Sequence, residues 1–330
     1  MPGAAVLLAA CNGTTSYMDA TGTAGGHEAT LGWWLTAVSC VVVLFVSVAV
    51  LLGIARHRGD PHRGDEGVMA RRDVKSGLSW IYVGVAVSVV ILAISFGGTM
   101  VTLNAASRPR ITPSLTIDVT AHQWWWEVTY SQADDPSLGF TTANEVHLPV
   151  GEPVRVRLHS ADVIHSFWLP QIAGKMDVIP GQVNETWLEA RKPGDSRGMC
   201  GEYCGMQHAV MALDVRAESP QAFRQWADER RAGAKAPVTA SANAGRVVFA
   251  RSCGVCHAVA GTEALGHVGP NLTHLASRPT IGAGALTNTS EHLAQWIRNA
   301  PGVKEGVRMP PMALTDAELR DVVAYLESLH

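Results

Sequence analysis

Charged residues are scarce in this sequence of 330 residues. Asp, Glu, Lys and Arg make up 17% of the chain, whereas hydrophobic residues make up 47%. The formal net charge is only −3, which is too small to indicate a nucleic-acid-binding protein. A low charged fraction beside a high hydrophobic fraction favours a chain that is partly embedded in a membrane, and the length suggests two or three domains.

Cysteine is also rare, with six residues in the whole chain. Cys11 lies near the N-terminus and Cys40 lies inside an apolar run. The other four form two closely spaced pairs. This distribution excludes the disulfide framework of a small secreted domain, and it indicates that the two pairs have a chemical role.

Two long segments, residues 31–55 and 77–103, contain no charged residue at all. Each is long enough to cross a hydrocarbon core of about 30 Å. Trp33, Trp34, Trp80 and Tyr82 lie near their ends, where aromatic side chains meet the membrane surface. The sequence therefore predicts a transmembrane helical hairpin over residues 27–103.

The orientation of that hairpin follows from the basic residues between the spans. Six of them lie in residues 56–75: Arg56, Arg58, Arg63, Arg71, Arg72 and Lys75. Basic loops stay in the cytoplasm, so we expect the N-terminus and everything after Asn104 on the outer face of a bacterial plasma membrane. Residues 1–26 end their first apolar run at Cys11, which resembles a lipoprotein cleavage box; a chance run of small residues is the alternative.

Residues 104–216 have the pattern of short strands. Val154–His159 alternates apolar and polar residues, and so does Glu145–Leu148. Pro and Gly residues separate these runs, as turns do in an all-β domain. Several short strands joined by turns predict a β-sandwich.

The residues between Met199 and Met211 carry metal-binding side chains at close spacing. Cys200, Cys204, His208 and Met211 supply two thiols, an imidazole and a thioether. Soft sulfur ligands beside imidazole select copper over hard cations. A mononuclear blue-copper site needs one cysteine, so the second thiol indicates a binuclear centre. A disulfide between the two cysteines is the alternative.

The C-terminal part carries a second motif. Residues 217–243 are expected to form a polar helix and a linker, followed by a domain over residues 244–330. Cys253, Cys256 and His257 form C-x-x-C-H, the attachment signature of c-type haem, although zinc and redox sites share this spacing. Thr315 and Glu318 form a capping pattern that opens a terminal helix.

Together these segments resemble subunit II of cytochrome c oxidases of the caa3 type. The resemblance rests on the Cys200–Met211 run, the upstream His165-Ser166-Phe167-Trp168, the aromatic run His122–Trp126 and the haem motif. It implies three parts: a two-helix transmembrane hairpin, an all-β cupredoxin-like sandwich and an all-α class I cytochrome c.

The resemblance also implies a ligand set for binuclear CuA. Cys200 and Cys204 bridge two coppers, and one histidine binds each copper. The weak axial ligands are a thioether and the Glu202 backbone carbonyl. The full set is His165, Cys200, Glu202, Cys204, His208 and Met211. This set is complete without His122 and His147.

For the C-terminal domain, the resemblance implies covalent haem c on Cys253 and Cys256, with iron held by His257 and Met309. Met309 is preferred over Met312 because it directly precedes a proline before the last helix. Trp124 aligns with the tryptophan through which electrons are thought to reach copper. Its alternative role is core packing. The Glu202 side chain matches a ligand to Mg2+ that is shared with subunit I.

The implied function is that of subunit II in an aerobic haem-copper oxidase. Its partners are oxidase subunits I and III, an upstream cytochrome c or cytochrome bc complex, and membrane lipid, with no nucleic acid. One position departs from the family pattern: Gly77 stands where many members carry a Glu at the mouth of a proton channel. Proton uptake by that route must differ here, or the register is shifted.

Three other functions compete with this reading. A quinol oxidase subunit II lacks metals, whereas this chain has every ligand. Nitrous oxide reductase needs a large propeller domain for which no segment is long enough. A membrane-anchored CuA and haem c carrier for another reductase, such as nitric oxide reductase, stays open.

The sequence finally predicts how the two redox domains meet. The haem domain balances seven basic residues against seven acidic ones from Asn243 onward. Because it has no net charge for steering, we expect a tethered domain that gains its rate from effective concentration. It would dock transiently on an exposed Trp124.

Overall fold

The computed structural model describes residues 13–57, 74–132 and 139–330. The chain divides into two units: residues 27–106 form one, and the residues up to Gly26 and from Ser107 onward form the other. The expected lipidation at Cys11 and most of the basic loop, residues 58–73, lie outside the described residues.

Two long helices form the first unit. Helix α1 spans Thr23–His57 and α2 spans Val74–Ser107, and Gly77 lies in the first turn of α2. Within them, Thr23–Arg56 and Leu78–Ser107 are long and apolar enough to cross a membrane. Large apolar side chains such as Phe45 are exposed on both, unlike those of a helix in a soluble core. The expected pair of apolar helices is confirmed.

The expected β-sandwich is also confirmed, and the described part of this domain holds ten strands. They are β1 Leu115–His122, β2 Trp125–Gln132, β3 Phe140–Ala143, β4 Glu145–Pro149, β5 Val154–Ser160, β6 His165–Trp168, β7 Met176–Val178, β8 Asn184–Leu188, β9 Gly194–Cys200 and β10 Ala212–Glu218. One sheet has the order β3-β2-β1-β5-β8 and the other β4-β10-β9-β6-β7.

The core lies between the two sheets. In β5, Val154, Val156 and Leu158 are fully buried while Arg155 and Arg157 are exposed, as the alternating sequence predicts. In the second sheet β9 lies between β6 and β10. The end of β9 and the starts of β6 and β10 therefore lie side by side.

The residues just before α1 pack on this sandwich. The backbone amides of Thr21 and Gly22 both donate to the Gln171 carbonyl, and the Arg191 amide donates to the Thr21 carbonyl. A Cβ on Gly22 would lie 2.1 Å from the Ile172 carbonyl oxygen, so only glycine permits this approach.

Four helices follow the sandwich: α3 Pro220–Arg231, α4 Ala240–Ser252, α5 Ser290–Val303 and α6 Asp316–Glu327. Two short ribbons pair β11 His257–Ala258 with β12 Leu265–His267, and β13 Thr280–Ile281 with β14 Leu286–Thr287. The expected capping box of Thr315 and Glu318 opens α6. Helix α4 begins within the expected linker, because the Thr239 side chain caps it.

Candidate metal centres and their interface

The copper-type side chains converge at one end of the sandwich. Cys200 ends β9, His165 begins β6, and Met211 immediately precedes β10. Cys204 and His208 lie on the loop between β9 and β10, where Gly205 adopts a φ of +118°. Adjacent strands thus bring together residues that are 46 positions apart in the chain, from 165 to 211.

The two thiols form the centre of this cluster. The Cys200 and Cys204 Sγ atoms lie 3.8 Å apart, far beyond the roughly 2.05 Å of a disulfide bond. His165 Nδ1 lies 3.9 Å from Cys200 Sγ, and His208 Nδ1 lies 3.8 Å from Cys204 Sγ. The arrangement has one imidazole beside each sulfur, which suits a pair of metals bridged by two thiolates.

Each of the remaining two donors lies beside a different sulfur. Met211 Sδ is 3.8 Å from Cys204 Sγ, and the Glu202 carbonyl oxygen is 3.1 Å from Cys200 Sγ. His165, both cysteines and Met211 are buried, so the cluster is shielded from water. The donor set of two thiolates, two imidazoles, a thioether and a carbonyl fits soft or borderline copper ions.

Neighbouring groups shift the pKa values of the two thiols in opposite directions. The Cys204 thiol, as a donor to Cys200 Sγ, lowers the pKa of the Cys200 thiol to about 3, with further help from His165. The same contact raises the pKa of Cys204, because its ionisation would place two negative charges side by side. The pair therefore holds a thiolate, the form that binds metal.

Asp162 orients His165, a role that the sequence analysis missed. Its Oδ1 atom lies 2.8 Å from His165 Nε2, which leaves Nδ1 facing Cys200. The backbone amides of Gln123 and Val163 also donate to this carboxylate. Burial acts to raise the pKa of Asp162, but these hydrogen bonds outweigh it and hold the pKa low. Carboxylates commonly fix ligand histidines in this way.

The haem motif lines a cavity of about 330 Å³. Cys253, Cys256 and His257 border it from one side, and both Met309 and Met312 border it as well. His257 Nδ1 lies 2.8 Å from the Pro270 carbonyl oxygen, so Nε2 is left to bind a metal. Burial lowers the pKa of His257, which favours the neutral ligand form. Two attachment thiols, a free imidazole nitrogen and two thioethers in an apolar cavity fit haem c.

Trp124 lies between the copper cluster and the haem domain. Its Nε1 atom donates to the Cys204 carbonyl at 3.0 Å, and Gln123 Nε2 donates to the same oxygen at 2.8 Å. A Cβ on Gly306, in the loop after α5, would lie 3.2 Å from the Trp124 ring. Trp124 is only 8% exposed, because the haem domain covers it.

Lys304 explains why Trp124 is covered. The residue is 2% exposed, and its Nζ donates to three backbone carbonyls, those of Trp124, Val210 and Gly282, at 2.7–2.8 Å. These carbonyls belong to the aromatic run, the copper loop and the haem domain. Gln207 Nε2 adds a bond to the Glu305 carbonyl. The two domains therefore meet through buried polar contacts in addition to the packing of Trp124 against Gly306.

A second polar cluster joins the domains at Glu145. This carboxylate is 3% exposed and lies 3.7 Å from Arg278 Nε of the haem domain and 3.8 Å from Arg230 Nε of α3. His147 lies against it, bonds to Glu218 at 2.7 Å and stacks on Trp226. His147 is thus part of the domain contact.

Comparison with known proteins agrees with both sites. Residues 138–218 match the family "Cytochrome C oxidase subunit II, periplasmic domain", and residues 242–330 match the family "Cytochrome c". These two domains imply copper and haem c.

Individual relatives are named cytochrome c oxidase subunit 2. Cytochrome c oxidase subunit 2 of Alkalihalophilus pseudofirmus is 33% identical over 299 residues, which cover 88% of this chain and 85% of that protein. The subunit 2 of Bacillus sp. strain PS3 is 33% identical over 66% of this chain and 62% of its own length. The crystal structure of the periplasmic domain of subunit II of cytochrome oxidase from Bradyrhizobium japonicum is 34% identical, with a TM-score of 0.34; it covers 37% of this chain and 96% of that chain. The chain therefore belongs to the cytochrome c oxidase subunit 2 family, as an electron-transferring oxidoreductase subunit that carries its own cytochrome c domain.

Proposed function

We propose that this chain receives electrons for an aerobic haem-copper terminal oxidase and passes them through two centres to subunit I. When bound, haem c and binuclear CuA supply one-electron chemistry, and reduction of O2 to water with proton translocation takes place in subunit I. The observation that carries the proposal is the convergence of six copper-type donors with a haem-type cavity at one domain interface.

The residues of the haem domain would attach and orient haem c. Cys253 and Cys256 would hold the haem through thioether links, and His257 would bind its iron through Nε2, the nitrogen that Pro270 leaves free. Met309, which lines the same cavity, would supply the second ligand to the iron. The apolar walls exclude water, which limits the reorganisation that accompanies a change of charge.

The residues of the copper domain form the second centre. Cys200, Cys204, His165, His208, Met211 and the Glu202 carbonyl would together hold the two coppers. Trp124 connects the centres, because its indole bonds to the Cys204 carbonyl while its ring contacts the haem-domain loop at Gly306.

The proposed surroundings are those of a membrane complex. The two apolar helices anchor the chain in a bacterial plasma membrane, with both redox domains on the outer face. Subunits I and III are the proposed neighbours, and the upstream donor is a cytochrome c or a cytochrome bc complex. The Glu202 side chain is exposed, so it is accessible to a neighbouring subunit for the proposed shared Mg2+.

The first experiment purifies the full chain in its membrane complex and counts its metals. We expect two coppers with a purple mixed-valence spectrum and one haem that stays attached through denaturing electrophoresis. A single copper per chain, a Cys200–Cys204 disulfide in the metal-loaded protein, or haem lost on denaturation would contradict the assignment.

The second experiment measures electron transfer from haem to copper after rapid photoreduction. Within one chain the rate is expected to be first order and nearly insensitive to salt, because exposed charges are screened within about 10 Å at 0.1 M. Trp124→Ala should slow this transfer while both metal spectra persist. A rate that rises with protein concentration would identify another molecule as the donor.

A further inference from the structure

A lysine of the haem domain brings a buried positive charge to the copper domain. Lys304 directly follows α5, and the residue is 2% exposed. Its Nζ donates to the Trp124 and Val210 carbonyls of the copper domain and to the Gly282 carbonyl of the haem domain. Val210 immediately precedes the copper-type ligand Met211. The charge therefore lies against the end of the copper loop, although it belongs to the other domain.

The three hydrogen bonds require the charged form of this side chain. An ammonium group has three N–H donors and no acceptor, whereas a neutral amine has only two donors. A neutral Lys304 would leave one buried carbonyl without a partner, which costs free energy. Burial lowers the pKa of Lys304 to about 7, and Cys204 acts in the opposite direction. The contacts are thus those of a buried cation.

No carboxylate compensates this charge in the part of the chain that the structure describes. There, Cys204 is the only group whose charge acts on the pKa of Lys304. Cys204 is one of the two thiols at the centre of the copper-type cluster, and its carbonyl accepts from the Trp124 indole. The field of the ammonium therefore acts on the copper-type cluster.

Burial makes such a charge effective. The energy between two charges varies inversely with the dielectric constant, so a charge in a protein interior acts more strongly than one in water. Salt screens exposed charges within about 10 Å at 0.1 M, but it screens buried charges much less. A neighbouring cation stabilises the state of a metal centre that holds one more electron, and it thereby raises the reduction potential of that centre.

We propose that Lys304 raises the reduction potential of the copper centre, so that the haem domain supplies a buried charge that makes copper the better electron acceptor. Lys304 acts through its field and through the copper loop, so it is a positioning residue and not a ligand. This inference rests on the proposed copper site.

The contact between the domains then has a second role beyond electron transfer. Lys304 belongs to the haem domain, so the copper centre gains this charge only while that domain is in place. Copper would accept electrons most readily when its donor domain is docked.

The test measures the copper potential of the full metal-loaded chain by spectroelectrochemistry at pH 6, below the pKa of Lys304. Lys304→Met removes the charge and all three donors, whereas Lys304→Gln removes the charge but keeps an N–H donor. We expect the copper potential to fall in both variants. The difference from the wild type should persist at high salt, because the charge is buried.

Two control variants separate charge from packing. Lys175→Met removes a lysine whose Nζ lies 3.4 Å from the Gly201 carbonyl oxygen, beside the copper-type ligand Cys200. This lysine is exposed, so water and salt screen it and its loss should leave the copper potential nearly unchanged. Gln207→Ala removes the bond to the Glu305 carbonyl across the domain contact without a change of charge, and it should also leave the potential in place.

Several results would overturn the proposal. One is an unchanged copper potential in the Lys304 variants with both coppers still bound. A potential that Lys304→Gln fully restores would assign the effect to hydrogen bonding, and an equal fall in Gln207→Ala would assign it to packing between the domains. If Lys304→Met fails to take up copper, Lys304→Gln decides alone. Absence of two coppers from the wild-type chain would contradict the proposed function itself.

Discussion

At the scale of single residues, the sixth iron ligand is the clearest open choice. Met309 and Met312 both line the haem cavity and both are partly buried. We expect Met309→Ala to abolish the weak Met-to-iron absorption band at the red end of the spectrum and to lower the haem potential. The physical reason is loss of a thioether, which stabilises ferrous iron.

Met312→Ala is the matched control for this prediction. It removes the same side chain from the same wall and should leave the band in place. If the Met312 variant loses the band and the Met309 variant keeps it, the ligand assignment is reversed.

The role of a residue could be predicted from the sequence when its partners lie close to it in the chain. Cys200, Cys204, His208 and Met211 could be predicted because they lie on one loop. Asp162 and Lys304 could not, since their roles arise from neighbours that only folding brings close. The upstream Asp in Ala161-Asp162-Val163-Ile164-His165 was the one available signal, at three residues before a ligand histidine.

At the scale of elements, the end of α5 fixes the two domains together. Lys304 is the C-terminal capping position of that helix, and its ammonium holds three carbonyls. Lys304→Met leaves those buried carbonyls without a donor, at about 1–3 kcal/mol each. We expect a lower free energy of unfolding and haem-to-copper transfer slowed at least about tenfold, equivalent to about 1.4 kcal/mol in activation free energy.

Lys235→Met is the control for Lys304, because this exposed lysine precedes α4 and lacks such buried contacts. Thermal unfolding and flash photoreduction measure both effects. Equal transfer rates in the wild type and Lys304→Met would show that the ammonium does not set the distance between the centres.

Helices α4 and α6 cross at Gly245. A Cβ there would lie 1.9 Å from the Asp321 carbonyl oxygen, which is backbone and cannot rotate away. We expect Gly245→Ala to destabilise the haem domain by about 1–3 kcal/mol, as overpacking does, despite its better helix propensity. Chemical unfolding followed by haem absorption measures the change, with exposed Ala244→Ser as the control. A stabilised variant would mean that the helices separate freely.

Helices and strands were predicted well where a single sequence pattern dominated. The two uncharged runs and the alternation in β5 each specify an element by themselves. The linker was harder, because a segment rich in Ala, Ser and Thr suits both a coil and a capped helix. Thr239 caps α4, and the Ala234 amide bonds to the Ala260 carbonyl, so tertiary contacts decided the outcome.

At the scale of the whole molecule, Glu145 makes the stability of the contact between the copper and haem domains dependent on acidic pH. Burial acts to raise its pKa, but His147, Arg278 and Arg230 outweigh that effect and lower it to about 2. Since the folded pKa lies below the unfolded value, its contribution is present above about pH 4.5 and is lost as pH falls toward 2. We expect thermal stability to fall over that range, and Glu145→Gln to flatten the dependence while lowering stability at pH 7.

The pKa of the neighbouring imidazole, His147, shifts in the opposite direction. Burial acts to lower the pKa of His147, but Glu145 and Glu218 outweigh it and raise the pKa. Its contribution is therefore complete below the ordinary value of 6.5 and is lost as pH rises through the folded pKa. Glu152→Gln, at an exposed turn, is the control in these melts. An unchanged acid slope in Glu145→Gln would assign the sensitivity to other carboxylates.

The contact of Gly22 with the sandwich, just before α1, limits how many times the chain can cross a bilayer. Thr21 and Gly22 are bonded to the same sandwich that resumes after α2. A chain whose two ends are fastened to one body outside a membrane must cross that membrane an even number of times. In the proposed membrane arrangement, α1 and α2 would be the two crossings, and the parity holds whatever the charges of the connecting loop.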